Sequence, residues 1–192
     1  SEMCIRDRIA RVFSGGEPDF SADGSRDVAT AEDMRQLGEQ LGAALQAGTV
    51  VVLSGPLGAG KTTLTQGLAS GLGVKGRVQS PTFTIVRTHR AGQRGVGLLH
   101  MDAYRLLGAD VDQGIEPGRH IDRNEVLDAL ESLDIDADID DVVVVAEWGR
   151  GVVEPLSETV LDVQIERGSV AGDEGDAADT RTVTWHLSLI HI

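Results

Sequence analysis

The sequence has little of several things, and each shortage excludes a class of protein. Its single cysteine, Cys4, cannot form a disulfide within the chain, which suits a reducing, cytoplasmic location. No apolar run approaches the roughly 20 residues of a membrane span, so we expect no membrane association. Aromatic residues make up only 3% of the chain, and the core must therefore be built from Val, Leu, Ile and Ala.

Basic residues are also in short supply. The chain has 17 Lys and Arg against 31 Asp and Glu, which gives a formal net charge of -14. Such a surface repels polyanions, whereas affinity for nucleic acid comes mainly from neutralising phosphates. We therefore expect the protein to reach any RNA indirectly, through a basic partner or a small local patch.

The length of 192 residues is enough for one α/β domain with a substantial core. We predict this single domain over residues 28–187. The polar, glycine-rich stretch 14–27 is typical of disorder, so residues 1–27 are predicted to be a disordered or non-native lead-in. Residues 188–192 do not continue the alternating pattern of the strand before them, and we interpret them as a possible non-native tail. A frayed tail and an extended last strand are the alternatives for these ends.

Periodicity predicts helices and strands that alternate early in the chain. Thr30 and Asp33 have the spacing of a capping box, which predicts a helix from Thr30 that stops at Gly48. Two more helices are predicted at 61–72, closed by Gly73, and at 123–133. Strands are predicted at 49–53, 80–90, 96–106, 142–149, 159–168 and 180–187. This order favours an α/β protein with a mostly parallel central sheet and added antiparallel strands.

The stretch GPLGAGKT, Gly55 to Thr62, fits the pattern G-x-x-x-x-G-K-[ST] between a buried strand and a helix. Its glycines let successive N–H groups turn inward, and the helix N-terminus adds positive potential, so the loop can cradle phosphates. Lys61 would bridge the β- and γ-phosphates, and the Thr62 hydroxyl suits Mg²⁺. The alternative is a chance glycine-rich turn. The predicted nucleotide-binding residues here are Gly55, Pro56, Leu57, Gly58, Ala59, Gly60, Lys61, Thr62 and Thr63. The alternative for Thr63 is a position that only fills the helix surface.

This loop predicts a P-loop NTPase-like fold of three layers, and such a site needs an acid for the metal. Glu147 directly follows the apolar run VVVVA, which is the arrangement of a Walker-B carboxylate; the alternative is a strand-end acid facing water. Asp102, in HMDAYRL, could orient water or hold a Mg²⁺-bound water, or it could only cap a turn. His100 shares a strand face with Asp102 and is left outside the predicted site.

Two further features could contact the nucleotide. Trp148 is either a core plug or a cover for the nucleotide or for a partner surface. The stretch SPTFT, residues 80–84, offers Thr82 and Thr84, whose hydroxyls could sense a γ-phosphate as nucleotide switches do. Ordinary turn chemistry around Pro81 is the alternative. We predict a switch-like loop that includes Ser80 and Thr82.

Four motifs in this order, GPLGAGKTTL, SPTFTIV, HMDAYRL and VVVVAEWG, resemble the bacterial TsaE family, formerly called YjeE. The likeness runs from about Thr30 to Leu187. It implies a small ATPase that binds ATP and Mg²⁺ and hydrolyses ATP slowly. It also implies action with the TsaD and TsaB proteins, which form N6-threonylcarbamoyladenosine (t6A) at position 37 of tRNAs reading codons that begin with A.

By the same resemblance, Lys61 and Thr62 would hold phosphate and Mg²⁺, and Glu147 would hold the metal. Asp102 would serve catalysis together with Lys61, Trp148 would lie on the nucleotide or partner side, and Thr82 would lie in a switch-like loop. Two features depart from the family pattern. Pro56 stands where members often have an acid, and the segment 108–141 is longer and more acidic than expected.

Two other functions stay open at this point. One is a small-molecule kinase built on the same loop, although its candidate lid, residues 108–141, is acidic rather than basic. The other is a nucleotide switch that binds without hydrolysing. The sequence leaves the oligomeric state open.

Overall fold

The computed structural model describes residues 18–81, 84–107, 121–135, 138–168 and 180–189. A seven-stranded sheet forms its centre, with strand order β1-β7-β6-β2-β5-β4-β3. The strands are β1 (Gly24–Val28), β2 (Thr49–Ser54), β3 (Val86–His89), β4 (Gly97–Asp102), β5 (Val142–Glu147), β6 (Thr159–Arg167) and β7 (Arg181–Leu189).

The four central strands, β6, β2, β5 and β4, run parallel to one another. Strand β3 pairs antiparallel with β4, while β7 and then β1 extend the other edge antiparallel. The predicted mixed sheet is therefore confirmed. In the register of the parallel strands, Glu147 lies opposite both Leu53 and Asp102, so the carboxyl ends of β2, β5 and β4 meet at one edge.

Helices cover both faces of this sheet and make the predicted three layers. They are α1 (Ala31–Ala44), α2 (Lys61–Leu72), the one-turn α3 (Ala103–Leu106) and α4 (Arg123–Glu131), with short 3-10 helices at Ile139–Asp141 and Glu154–Leu156. Val51 and Val145 pack with α1 and α2 on one face. Val52 and Val144 alternate to the opposite face, where α4 packs.

The predicted helix signals at α1 and α2 are confirmed in detail. Thr30 and Asp33 form a reciprocal capping box, in which each side chain accepts a hydrogen bond of 3.0 Å from the other residue's backbone N–H. The hydrogen bonds from Thr30 lower the pKa of Asp33. Gly73 closes α2 in the left-handed conformation. Helix α1 ends at Ala44, four residues before the predicted stop at Gly48.

Several further predicted elements are too long. The strand predicted at 142–149 ends at Glu147, because Trp148 takes a left-handed conformation with φ of +57°. Of the strand predicted at 80–90, only Val86–His89 forms, as β3. It cannot begin earlier because Ile85 takes a left-handed conformation with φ of +62°. The strand predicted at 96–106 ends at Asp102, whose side chain caps α3. The helix predicted at 123–133 ends at Glu131.

The prediction of a disordered lead-in is wrong for residues 18–27. Residues from Gly24 onward form β1 and pair with β7. Phe20 is buried, and its ring lies 5.0 Å from that of Trp185. This apolar contact and the strand pairing hold the stretch in one conformation, although its polar composition is typical of disorder. Residues 1–17 lie outside the described part, as do 190–192 of the predicted tail; Ser188 and Leu189 extend β7.

Helices α1 and α2 approach closely through glycines that sequence analysis did not single out. Gly38 and Gly42 of α1 face the backbone of α2, while Gly67 and Gly71 of α2 face the backbone of α1. A Cβ atom added to Gly42 would lie 2.0 Å from the carbonyl oxygen of Leu68. This packing holds α2, the helix that follows the glycine loop, firmly on the sheet. None of the helices in the described ranges is long and apolar enough to cross a membrane.

We predict that Gly42→Ala and Gly67→Ala each destabilise the protein. An alanine normally stabilises a helix interior by about 1 kcal/mol relative to glycine. Here the added Cβ would meet backbone at 2.0 and 2.1 Å, and overpacking of this kind lowers the free energy of unfolding by about 1–3 kcal/mol. Urea unfolding measures the change. Gln36→Ala, at an exposed position of α1, is the control. Unchanged or increased stability of the glycine variants would contradict this packing.

Candidate nucleotide-binding site

A pocket of about 960 Å³ opens at the edge where the parallel strands end. It gathers residues from the glycine loop, the start of α2 and the ends of β4 and β5. Its lining consists of Leu57, Gly58, Gly60, Lys61, Thr62, Thr63, Ser80, Asp102, Arg105, Glu147 and Trp148. Most of the residues predicted for the site from sequence are thus brought together.

The glycine loop has the backbone conformation that an anion cradle requires. Gly58 and Gly60 have φ of +73° and +109°, which residues with a Cβ rarely adopt. Gly60 is the N-cap residue of α2 and has no side chain that could bond the first N–H groups of the helix. Free N–H groups at a helix N-terminus attract phosphate.

Lys61 is buried and held by the loop itself. Its Nζ donates hydrogen bonds of 2.7 Å to the carbonyl oxygen of Gly55 and 3.1 Å to that of Pro56. The same ammonium lies 4.9 Å from the centre of the Trp148 ring, within cation–π range. An incoming phosphate would compete with these contacts for the ammonium.

Asp102 and Glu147 lie side by side at the ends of β4 and β5, and both are largely buried. The Oδ1 atom of Asp102 accepts the Arg105 backbone N–H at 3.2 Å. Together with the Thr62 hydroxyl, these carboxylates put hard oxygen donors into the pocket. That set fits Mg²⁺, which takes one or two protein oxygens and otherwise phosphate and water. The described residues contain no cluster of three or more acid, His or Cys side chains that could cage a metal.

Trp148 follows Glu147 in a left-handed conformation with φ of +57°. Such a conformation costs a bulky residue of order 1–3 kcal/mol and persists only where the surroundings enforce it. The side chain is 51% exposed, which excludes the core-plug interpretation. Trp148 therefore belongs to the pocket wall, while Trp185 is the buried tryptophan.

Sequence analysis missed two residues that the structure brings to this edge. Arg105 lines the pocket from α3. His100, which the prediction left out, is fully buried and places Nε2 3.1 Å from Oε1 of Glu147. Burial and the nearby His100 lower the pKa of His89, on the adjacent strand. The available signal for His100 was its position two residues before Asp102, on the same face of one strand.

Some predicted residues do not line the pocket. Ala59 is buried behind the loop, and Gly55 and Pro56 contribute the carbonyl groups that hold Lys61. Of the two residues predicted for a switch-like loop, Ser80 lines the pocket, whereas Thr82 lies outside the described residues.

A glycine loop between a central parallel strand and a helix defines a P-loop protein of the nucleotide-binding class. The family described as threonylcarbamoyl adenosine biosynthesis protein TsaE matches residues 28–174. The chain belongs to the TsaE family, and the resemblance noted in the sequence is confirmed.

Relatives of known name support this assignment. The tRNA threonylcarbamoyladenosine biosynthesis protein TsaE of Mycobacterium tuberculosis H37Rv is 44% identical over 169 residues, covering 86% of this chain and 88% of the relative. The protein of the same name from Streptomyces coelicolor is 47% identical over 151 residues, covering 79% and 89%. The crystal structure of Bacillus subtilis YdiB is similar with a TM-score of 0.56 and 28% identity, covering 87% of this chain and 86% of that one.

We predict that nucleotide binding changes the fluorescence of Trp148. A phosphate that draws Lys61 away removes a cation from the indole face, and the bound nucleotide shields the exposed ring. Titration with ADP in the presence of Mg²⁺ measures the emission. In Trp148→Phe the remaining emission comes from Trp185, which is buried and donates its Nε1–H to the carbonyl groups of Asp19 and Ala22. If ADP changes the emission of Trp148→Phe as much as that of the wild type, Trp148 does not lie beside the nucleotide.

Proposed function

We propose that this protein binds and hydrolyses ATP as a component of the machinery that forms t6A at position 37 of tRNAs reading codons that begin with A. The observation that carries the proposal is a single pocket containing Lys61, Thr62, Asp102 and Glu147, in a chain of the TsaE family. The names of its relatives place those proteins in threonylcarbamoyladenosine biosynthesis on tRNA.

The loop binds the polyphosphate of ATP. Backbone N–H groups of residues 58–62 and the N-terminus of α2 contact phosphate oxygens, and the Lys61 ammonium moves from its carbonyl partners to the β- and γ-phosphates. Thr62 and Glu147 hold Mg²⁺ or its water ligands. When bound, Mg²⁺ neutralises the charge of the phosphates. Trp148 covers the nucleotide at the mouth of the pocket.

Hydrolysis needs a water molecule aligned with the γ-phosphate and stabilisation of the charge that spreads over the transferred group. Asp102 ends β4 next to Glu147, and its carboxylate lines the pocket, so it can orient such a water. Lys61 supplies the stabilising cation. Ser80 and Thr82 belong to a switch-like loop that senses the γ-phosphate.

The protein acts with TsaD and TsaB, and its ATPase cycle resets or activates their complex. The net charge of -14 supports this arrangement, because an acidic surface disfavours direct binding to tRNA. The protein therefore contacts tRNA indirectly, through partners that bind the nucleic acid, and it works in the cytoplasm.

Lys61→Ala should reduce ATP turnover by about 100-fold or more. Removal of a preorganised donor that faces the charge developing in the transition state typically lowers kcat by that factor. ATPase assays with and without TsaD and TsaB, together with t6A yield, measure the effect. The matched control is Lys75→Ala, since Lys75 is the only other lysine of the chain and is exposed outside the pocket. Wild-type turnover and t6A yield in Lys61→Ala would refute the proposal.

Asp102→Asn should lower kcat by about 100-fold while leaving nucleotide affinity close to that of the wild type. The amide oxygen of asparagine can still accept the Arg105 N–H, so α3 keeps its cap, but the charge that activates water is lost. Single-turnover phosphate release and ADP binding separate the two effects. Asp128→Asn, an exposed position on α4, is the control. If Asp102→Asn turns over ATP as fast as the wild type, Asp102 has no role in catalysis.

The same assays separate the other interpretations. A nucleotide switch would release no phosphate in a single turnover even with both partners present. A kinase would transfer the γ-phosphoryl group to a small acceptor, which labelled ATP would reveal.

A further inference from the structure

His100 is the most deeply buried ionisable side chain next to the pocket. Its side chain is 0% exposed on the central strand β4, and it shares the α2 side of the sheet with Asp102 and Glu147. A buried polar group without a hydrogen bond is costly, so its partner indicates its role. The partner is Glu147, whose Oε1 lies 3.1 Å from His100 Nε2.

The hydrogen atom in this contact can be assigned by chemistry. An ionised carboxylate only accepts hydrogen bonds, so Nε2 carries the hydrogen and donates it to Oε1. The other ring nitrogen, Nδ1, is buried and has no hydrogen-bond partner among the described residues. The contact with Glu147 is therefore the one hydrogen bond of this imidazole within the described part of the chain.

This hydrogen bond fixes the orientation of the Glu147 carboxylate in the pocket. Oε1 accepts a hydrogen bond from His100, and the Glu147 side chain lines the pocket, so Oε2 keeps its full acceptor capacity for a metal ion or its water. A hydrogen bond to a charged acceptor is about twice as strong as one between neutral groups. It can hold the carboxylate in one rotamer before the nucleotide arrives.

We propose that His100 is a positioning residue, which orients the Glu147 carboxylate for binding of Mg²⁺ with the nucleotide. The inference rests on the proposed function and adds a residue to it. His100 does not touch the nucleotide; it acts through Glu147. Partners that hydrogen-bond metal-ligating side chains typically change metal affinity 10–100-fold when they are removed.

The test measures binding of the non-hydrolysable ATP analogue AMP-PNP by calorimetry, first in EDTA and then at increasing Mg²⁺. His100→Leu should raise the Mg²⁺ concentration for half-maximal effect by about 10–100-fold and leave affinity in EDTA unchanged. His100→Gln, whose amide nitrogen can take the place of Nε2, should restore most of the Mg²⁺ response. His100→Asn, whose shorter side chain places its amide farther from Glu147, should behave like His100→Leu and serves if the leucine variant does not fold.

A double-mutant cycle separates positioning from a general structural effect. In a Glu147→Gln background, replacement of His100 should produce no further loss of Mg²⁺ response, and thermal unfolding reports on the fold of each variant. An unchanged Mg²⁺ response in folded His100→Leu or His100→Asn would overturn the role of His100 alone. A loss that persists undiminished in the Glu147→Gln background would do the same. If the wild type itself binds AMP-PNP without any Mg²⁺ effect, the proposed function fails as well.

Discussion

The parallel register of three central strands is the constraint on which the site depends. Because Glu147 of β5 lies opposite Leu53 of β2 on one side and Asp102 of β4 on the other, the glycine loop and both acids reach the same edge. A shift of one residue in either pairing would turn a carboxylate to the opposite face of the sheet. The apolar strands VVVL and VVVVA hold this register by burial on both faces, and the interlocked glycines of α1 and α2 fix the helix that follows the loop.

At this edge of the sheet, three charged side chains of the pocket have partners within the protein. Lys61 is satisfied by two carbonyl groups and an indole ring, Asp102 by a backbone N–H, and Glu147 by His100. Each charged group is thus held near the place where it would meet phosphate or metal. Pre-organisation of this kind reduces the reorganisation that must accompany binding and catalysis.

Sequence patterns predicted much of this, and the exceptions have physical causes. The capping box of Thr30, the glycine loop and the apolar strands are local signals, and they were sufficient for the layers and for most of the pocket. Strand β1 was missed because its order comes from pairing with β7 and from Phe20 on Trp185, partners more than 150 residues away. Several strand ends were misplaced because Ile85 and Trp148 take left-handed conformations and because the side chain of Asp102 caps the helix that follows β4. The role of His100 depends on its contact with Glu147 across strands, whereas its spacing from Asp102 shows only that these two residues share a strand face.

We propose above all that the loop binds the phosphates of ATP together with Lys61 and a magnesium ion. The most direct measurement is a crystal structure of the protein with AMP-PNP and Mg²⁺. We predict that the β- and γ-phosphates bind to the N–H groups of residues 58–62 and that Mg²⁺ lies beside Thr62 and Glu147. Lys61 Nζ should have moved from the Gly55 and Pro56 carbonyl oxygens to a phosphate oxygen. A nucleotide bound elsewhere, or Lys61 still on the loop carbonyls with the nucleotide in place, would contradict it.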